Sequence, residues 1–295
     1  MMTPTDGLAP AAQSAALDAP LQPAPQPSAD GTVLAALEAT LAKVDKAAGL
    51  PDPVEMVHDA RKAMKEYRSL LRLVPGARAK AARQATAAAA RSLSAARDRA
   101  AAREALQHLA EEGLLAEDDL AAALAAIGDD PAPGTEAEEH RAELADFLLA
   151  ARTQLADGLA EEAAGADVVA GLARAYRQAQ DVRFDSPHHM HEARKRVVAH
   201  RYQMSFFASV AAGHGEKRAA RAQELRDVLG AYQDIETLRP MLEAAAEPLG
   251  EARLARLGEA MGSLQKRLKR GAERLHRKLF RRRARAFAGK FRRAL

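Results

Sequence analysis

Val57-His58-Asp59-Ala60-Arg61-Lys62 returns 133 positions later as Met190-His191-Glu192-Ala193-Arg194-Lys195. Each copy runs apolar residue, histidine, acid, alanine, arginine, lysine. In the same register Arg68 aligns with Arg201, Leu71 with Met204, and Leu73-Val74 with Phe206-Phe207, so the match extends over a whole helix. Self-similarity at this scale marks a duplicated supersecondary unit. A second correspondence follows, Leu93-Ser94-Ala95-Ala96-Arg97-Asp98 with Leu229-Gly230-Ala231-Tyr232-Gln233-Asp234, its offset larger by one short loop insertion. Both halves therefore share a pair of helices.

The first of these helices segregates charge from apolar surface. At about 100° per residue, Arg61, Lys62, Lys65, Arg68 and Arg72 fall with His58 inside an arc of about 120°. Val57, Ala60, Ala63, Met64, Tyr67, Leu70, Leu71 and Val74 fill the rest, the stripe expected of a helix packed into a core. In the second copy His191, Arg194, Lys195 and Arg201 take the corresponding arc, but Val198 stands in the place of Lys65 and Ser205 in that of Arg72. The second cationic face is the thinner one. A solvated helix face usually mixes signs, with Glu placed four residues before Lys or Arg. This arc carries no acid, and like charges held side by side repel unless an anion sits opposite. Having the arrangement twice favours an anionic ligand over a solvated surface.

The chain of 295 residues has room for a sizeable core. Ala, Leu, Arg and Glu dominate and aromatic residues make up 4%, a composition that favours helices, and no stretch alternates as a strand would. The chain has no cysteine, which excludes disulfides, thiolate catalysis and Cys-based metal sites. Residues 1–32, with the run Ala19-Pro20-Leu21-Gln22-Pro23-Ala24-Pro25, read as a disordered Pro/Ala-rich arm. They lack the basic and apolar blocks of a secretory signal, and no run is long enough to span a membrane, so a cytoplasmic protein is expected. The net charge of +4 conceals strong segregation: acids dominate 111–170, whereas 266–295 holds many Lys and Arg against the lone Glu273. Partners are to be sought on a face of the molecule.

Helices are expected over 33–48, 54–74, 78–109, 117–127, 135–163, 167–180, 187 to about 213, 251–269 and 272–294, the last two separated near Gly271. Gly49 and the Pro51-Asp52-Pro53 break end the first of these, and Ser186-Pro187 supplies a start signal, with a cap residue followed by proline at the first helical position. The fold class is all-α: two pseudo-repeated four-helix bundles in one helical domain over 33–295, the first repeat about 33–165 and the second about 166–295.

The paired His-x-x-Arg-Lys helices, the Leu-x-x-x-Arg-Asp and Leu-Gly-x-Tyr-x-Asp segments behind them, and the terminal Ala286-Phe287-Ala288-Gly289-Lys290-Phe291 give a chain that resembles the conserved histidine α-helical domain (CHAD) family over about 33–295. The resemblance implies two pseudo-symmetric bundles around a basic central channel that binds inorganic polyphosphate without catalysis, and an association with polyphosphate granules. It places polyphosphate-binding residues at His58, Arg61, Lys62, Lys65 and Arg68 in the first half and at His191, Arg194, Lys195 and Arg201 in the second, and Arg72 is expected to join them from its place on the same arc. Val198 departs from the basic residue usual at that place. Further contacts are expected from Arg91, Arg97, Arg218 and Arg221, and from Arg274, Arg277, Lys278 and Arg281 of the C-terminal helix, which otherwise reads as a solvated basic face.

Polyphosphate carries a charge on nearly every unit and no bases to read, so it calls for a track of cations. Arg grips phosphate oxygens bidentately, and Lys is a mobile point charge able to follow a chain of unfixed register. His58 and His191 read equally as phosphate donors or as hydrogen-bonding spacers between helices. His188-His189-Met190-His191 crowds three imidazoles together, but no carboxylate falls at a ligand spacing, so neither a metal nor a cofactor is expected. No paired acids, nucleophile-base set or phosphate loop points to an enzyme. The alternative is a basic helical nucleic-acid-binding protein, which shares the salt dependence of phosphate contacts. Scarce aromatics and the lack of a helix-turn-helix weigh against it.

Overall fold

The computed structural model describes residues 32–93, 98–128, 137–211 and 213–295, and these form helices and turns with no strand. The arm expected over 1–32 lies outside the described residues except for Thr32. In chain order the helices are α1 (Val33–Ala48), α2 (Pro53–Leu70), α3 (Ala77–Ser92), α4 (Asp98–Glu111), α5 (Glu117–Ile127), α6 (Ala137–Gln154), α7 (Ala160–Ala164), α8 (Val168–Gln180), α9 (Pro187–Val210), α10 (Glu216–Ala244), α11 (Ala246–Leu249), α12 (Glu251–Leu279) and α13 (Ala284–Arg292).

Their starts follow from local chemistry. Thr32 accepts from the Ala35 amide at 3.1 Å, and Asp52 from that of Glu55 at 2.8 Å with Pro53 just inside the helix. Ser186 accepts from the His189 amide at 3.2 Å, again with proline next. Each side chain satisfies an amide that the first turn leaves without an intrahelical partner, an effect of about 1 kcal/mol per cap.

One core joins α1, α2, α3 and α6 to α8, α9, α10 and α13, with Leu37, Met64, Tyr67, Leu71, Tyr176 and Phe207 among its buried side chains. Burying a Leu or Phe side chain of this kind stabilises by about 1.5–3 kcal/mol. At its centre α2 packs on α9: the Tyr202 hydroxyl donates to the Lys62 carbonyl at 3.4 Å and the Gln203 amide to that of Ser69 at 3.0 Å. On α8, Gly171 lies so close to the backbone of Leu73 that a methyl group there would overlap the Leu73 carbonyl. A second core is built from α4, α5, the later part of α10, α11 and α12, around Leu106, Leu109, Ile235, Leu238 and Leu257. Residues from the first half of the chain thus contribute to both cores. The near-buried Asp119 of α5 accepts from Arg253 Nε at 2.9 Å and from Arg256 Nε and Nη2 at 2.7 Å, tying α5 to α12.

Four expected boundaries shift. The helix expected over 54–74 ends at Leu70. The single helix expected over 78–109 is α3 and α4, because Arg61 of α2 donates to the carbonyls of Ala90 and Leu93 at 2.9 Å and takes up oxygens that a continuing helix would use. The acidic helix expected over 135–163 is interrupted after Gln154 by a wide turn in which Gly158 adopts φ 99°, a value only glycine takes easily, before α7 resumes. Gly271 does not separate the last two helices: α12 runs through it, with Val228 of α10 in ordinary contact distance. The chain turns instead after Leu279, where the Gln180 amide donates at 2.8 Å to the carbonyls of both Phe280 and Arg282.

Candidate functional site

The bases of the α2 arc do not all share one environment. Arg68 and Arg72, near the end of α2, point into a half-buried region bordered by α3 and α9. Burial first, then Arg196, Arg83 and Arg68, bring the Arg72 guanidinium down to about 10, with only Glu192 acting the other way. Arg68 is lowered by burial and then by Arg91 and Arg83, and Arg83 by burial and then by Arg196. Arginines on three helices therefore feel one another's positive charge in a medium of reduced polarity, where each repulsion is stronger than in water. Among the described residues no carboxylate pairs with Arg68, Arg72 or Arg83. The neighbouring acid on α2, Glu66, is turned away and held by Lys43 of α1 at 2.8 Å.

Arg83 and Arg196 are part of this cluster and do not stand out in the sequence. Arg83 sits in an alanine-rich helix with no motif around it. Arg196 falls on the far side of the α9 projection from His191, and it comes beside Arg72 because the flank of α9 crosses the basic face of α2. It also donates to Gln178 Oε1 at 2.9 Å. Glu192 pairs with Lys195 on α9, and its place next to Arg72 depends on that same crossing.

Nearer the start of α2 the arc is engaged within the protein. Arg61 caps the end of α3, as described, and His58 Nδ1 lies 3.1 Å from Asp59 Oδ1. Lys62 and Lys65 are half-buried, and the Lys65 carbonyl accepts from the Ser69 hydroxyl at 2.6 Å. On α9, His191 and Arg194 turn toward α10. His191 Nδ1 is 3.1 Å from Gln233 Oε1, which can only accept, so Nδ1 carries the proton. Burial first, then Lys195 and Arg194, lower this histidine from its ordinary value, against the Gln233 hydrogen bond and Glu192, which favour its charge. Arg194 lies against Gly230 of α10, Lys195 pairs with Glu192, and the Arg201 guanidinium stacks 5.1 Å from the Tyr202 ring centre. The two arrays approach each other where Arg72 meets Arg196 and Glu192.

Of the further expected contacts, Arg91 joins the cluster beside Arg68. Arg97 lies outside the described residues. Arg218, Arg221, Lys278 and Arg281 line a separate cavity with Arg282 and Lys290, while Arg274 and Arg277 are exposed on α12. The three imidazoles at 188–191 do not meet at one point: the His188 and His189 rings lie edge to face at 5.7 Å and His189 pairs with Asp185, while His191 bonds Gln233. Among the described residues no group of three or more His, Asp or Glu could hold a metal ion, and no helix is long and apolar enough to cross a membrane.

The family model of the CHAD domain matches residues 31–243. No curated protein and no solved structure matches the chain.

Proposed function

The chain belongs to the CHAD family, and from that premise we propose that it is a non-catalytic module that binds inorganic polyphosphate. The observation that carries this reading is the cluster of Arg68, Arg72, Arg83, Arg91 and Arg196, which brings like charges together with Glu192 as the opposing acid. Folding such groups together costs free energy that a bound anion returns. A polymer with a charge on nearly every unit returns more of it than a small anion, because several phosphates engage at once.

In this reading Arg68, Arg72, Arg83 and Arg196 are the principal contacts, and Lys62, Lys65, His58, Lys195 and Arg201 extend the track along α2 and α9. Arg61, His191 and Arg194 position helices: their donors face the α3 end and α10. A basic channel between the two halves, a repeat boundary near 165, and a place on polyphosphate granules in the cytoplasm belong to the same proposal.

Competition at matched phosphate and fixed salt tests it. Long-chain polyphosphate is expected to displace a fluorescent DNA duplex at a far lower phosphate concentration than unlabelled DNA does. The reverse order would identify a nucleic-acid-binding protein.

A further inference from the structure

Thr40, Ser69 and Thr86 in the main core donate to carbonyls four residues back, Gln203 donates to the Ser69 carbonyl, and His276 Nε2 donates to the Ala179 carbonyl at 2.7 Å. His200 of α9, equally buried, has no such bond at either ring nitrogen. Its ring stands in a cage of other rings: Tyr176 of α8 at 5.6 Å between centres, Phe280 of the turn after α12 at 4.9 Å, and Phe287 of α13 at 5.7 Å. An apolar side chain would fill this cage without leaving two nitrogens unsatisfied. What imidazole adds is the ability to take up a proton near neutral pH.

The groups around the cage oppose that proton. Arg218 of α10 donates to the Tyr176 hydroxyl at 3.2 Å and to the Leu279 carbonyl, and its guanidinium lies 4.3 Å from the Phe287 ring centre. Arg282 of the turn acts on both Arg218 and Tyr176. From α12 comes His276, whose ring meets Phe280 at 4.8 Å, and α9 itself carries Arg196 one turn before His200 and Arg201 next to it. Burial first, then Arg218, hold His200 neutral, and no carboxylate acts the other way. A protonated ring would be one more positive charge in a medium with little water.

Part of the cage wall is a short segment. Phe280 and Phe287 belong to residues 280–292, the turn and the nine-residue α13, and a helix of this length depends on packing more than on its own hydrogen bonds. Beyond its contacts with the cage, the segment is held by Phe291 against Phe207, by Gln180 of α8 donating at 2.8 Å to the Phe280 and Arg282 carbonyls, and by the exposed ion pair of Arg292 with Asp167. An exposed pair of this kind contributes little. Tyr176 and His200, by contrast, stand on α8 and α9 inside the main core.

We propose that residues 280–292 form an acid-released strap with His200 as its sensor: a protonated His200 is expelled from the ring cage beside Arg218, and the strap lifts to let it reach water. Stability of the closed strap is complete above about pH 6.5, where the open state also leaves His200 neutral, and is lost as pH falls below that value. His276 keeps its bond to Ala179 and its contact with Phe184 at 5.1 Å when the strap lifts, so it is not the sensor.

Hydrogen exchange of the full chain, followed by mass spectrometry at pH 7.5 and 5.5 in phosphate-free buffers of equal ionic strength and corrected for the intrinsic pH dependence of amide exchange, tests it. Protection of 284–292 is expected to fall about tenfold between the two, the ratio given by one histidine of ordinary value in the open state. At both pH values it should stay at least about tenfold below that of 60–70 in the core of α2, as a local opening requires. His200→Phe and His200→Leu should each bring the pH ratio to within about twofold of unity and protect the strap at pH 7.5 at least as well as wild type. His276→Gln, which keeps a donor for the Ala179 carbonyl, should retain the tenfold ratio. A wild-type ratio below about twofold, an unchanged ratio in the His200 variants, or its loss in His276→Gln would each overturn the assignment. Equal protection of 284–292 and 60–70 would make the opening global unfolding and end the proposal.

Discussion

Arg72, just past the end of α2, and Arg196 of α9 lie close enough to depress the ionisation of Arg72, with Glu192 the acid beside them. Helices from the two halves of the chain thus meet through like charges at the edge of a well-packed core. Arg72→Met removes one of these charges and keeps the buried stem. The variant should unfold in urea at the same midpoint as wild type or a higher one, by up to about 1 kcal/mol, because it relieves repulsion. A lower midpoint would show that Arg72 is held by contacts that stabilise the unliganded fold.

His200 is 1% exposed, and neither ring nitrogen has a hydrogen-bond partner among the described residues. It packs against Tyr176, Phe280 and Phe287, and burial, then Arg218, holds it neutral far below its ordinary range. The unfolded chain takes up this proton at about pH 6.5 and the folded chain does not. Its contribution is therefore complete above that pH and is lost as pH falls below it, at up to about 1.4 kcal/mol per pH unit. Urea titrations between pH 7.5 and 5 should show falling stability, and His200→Leu should flatten the slope. An equally steep slope in the variant would place the titration elsewhere.

Asp119 behaves in the same direction with the opposite charge. Its hydrogen bonds from Arg256 and Arg253 hold the carboxyl far below the usual carboxylate range. Stability from this group is present above the unfolded value of about 4 and lost as pH falls below it. Asp119→Asn should lower the melting temperature at pH 7 and remove part of the acid sensitivity below pH 4. An unchanged melting temperature at pH 7 would contradict the link between α5 and α12.

Gly171→Ala should destabilise by about 2–4 kcal/mol, because the added methyl forces α8 away from the Leu73 carbonyl and opens the main core. Denaturant unfolding followed by circular dichroism measures it. A change under about 0.5 kcal/mol would mean that α8 shifts freely.

The helices were legible where their signals are local. Ser186-Pro187 marks the start of α9 because capping needs only neighbouring residues. The interruptions were less legible because their causes come from elsewhere: Arg61 of α2 ends α3, and Gln180 of α8 holds the turn after α12. Gly271 misled for the same reason, since the packing of α12 on α10 outweighs one residue's weak helix preference. At the site, the projection separated Arg68 and Arg72 from the apolar stripe. It left out Arg83 and Arg196, whose place beside Arg72 depends on how α2, α3 and α9 cross. It also placed Arg61 and Arg194 with the ligand contacts, although in the fold their guanidinium groups lie against α3 and α10.

The most direct test of the α2–α3–α9 cluster is the affinity of long-chain polyphosphate for Arg68→Ala/Arg72→Ala/Arg196→Ala, measured by titration at constant salt. The predicted result is a loss of at least about thirtyfold, with the shallower salt dependence expected when fewer phosphates are neutralised, and a helical signal equal to that of wild type. An affinity within about twofold of wild type, with the same salt dependence, would contradict it.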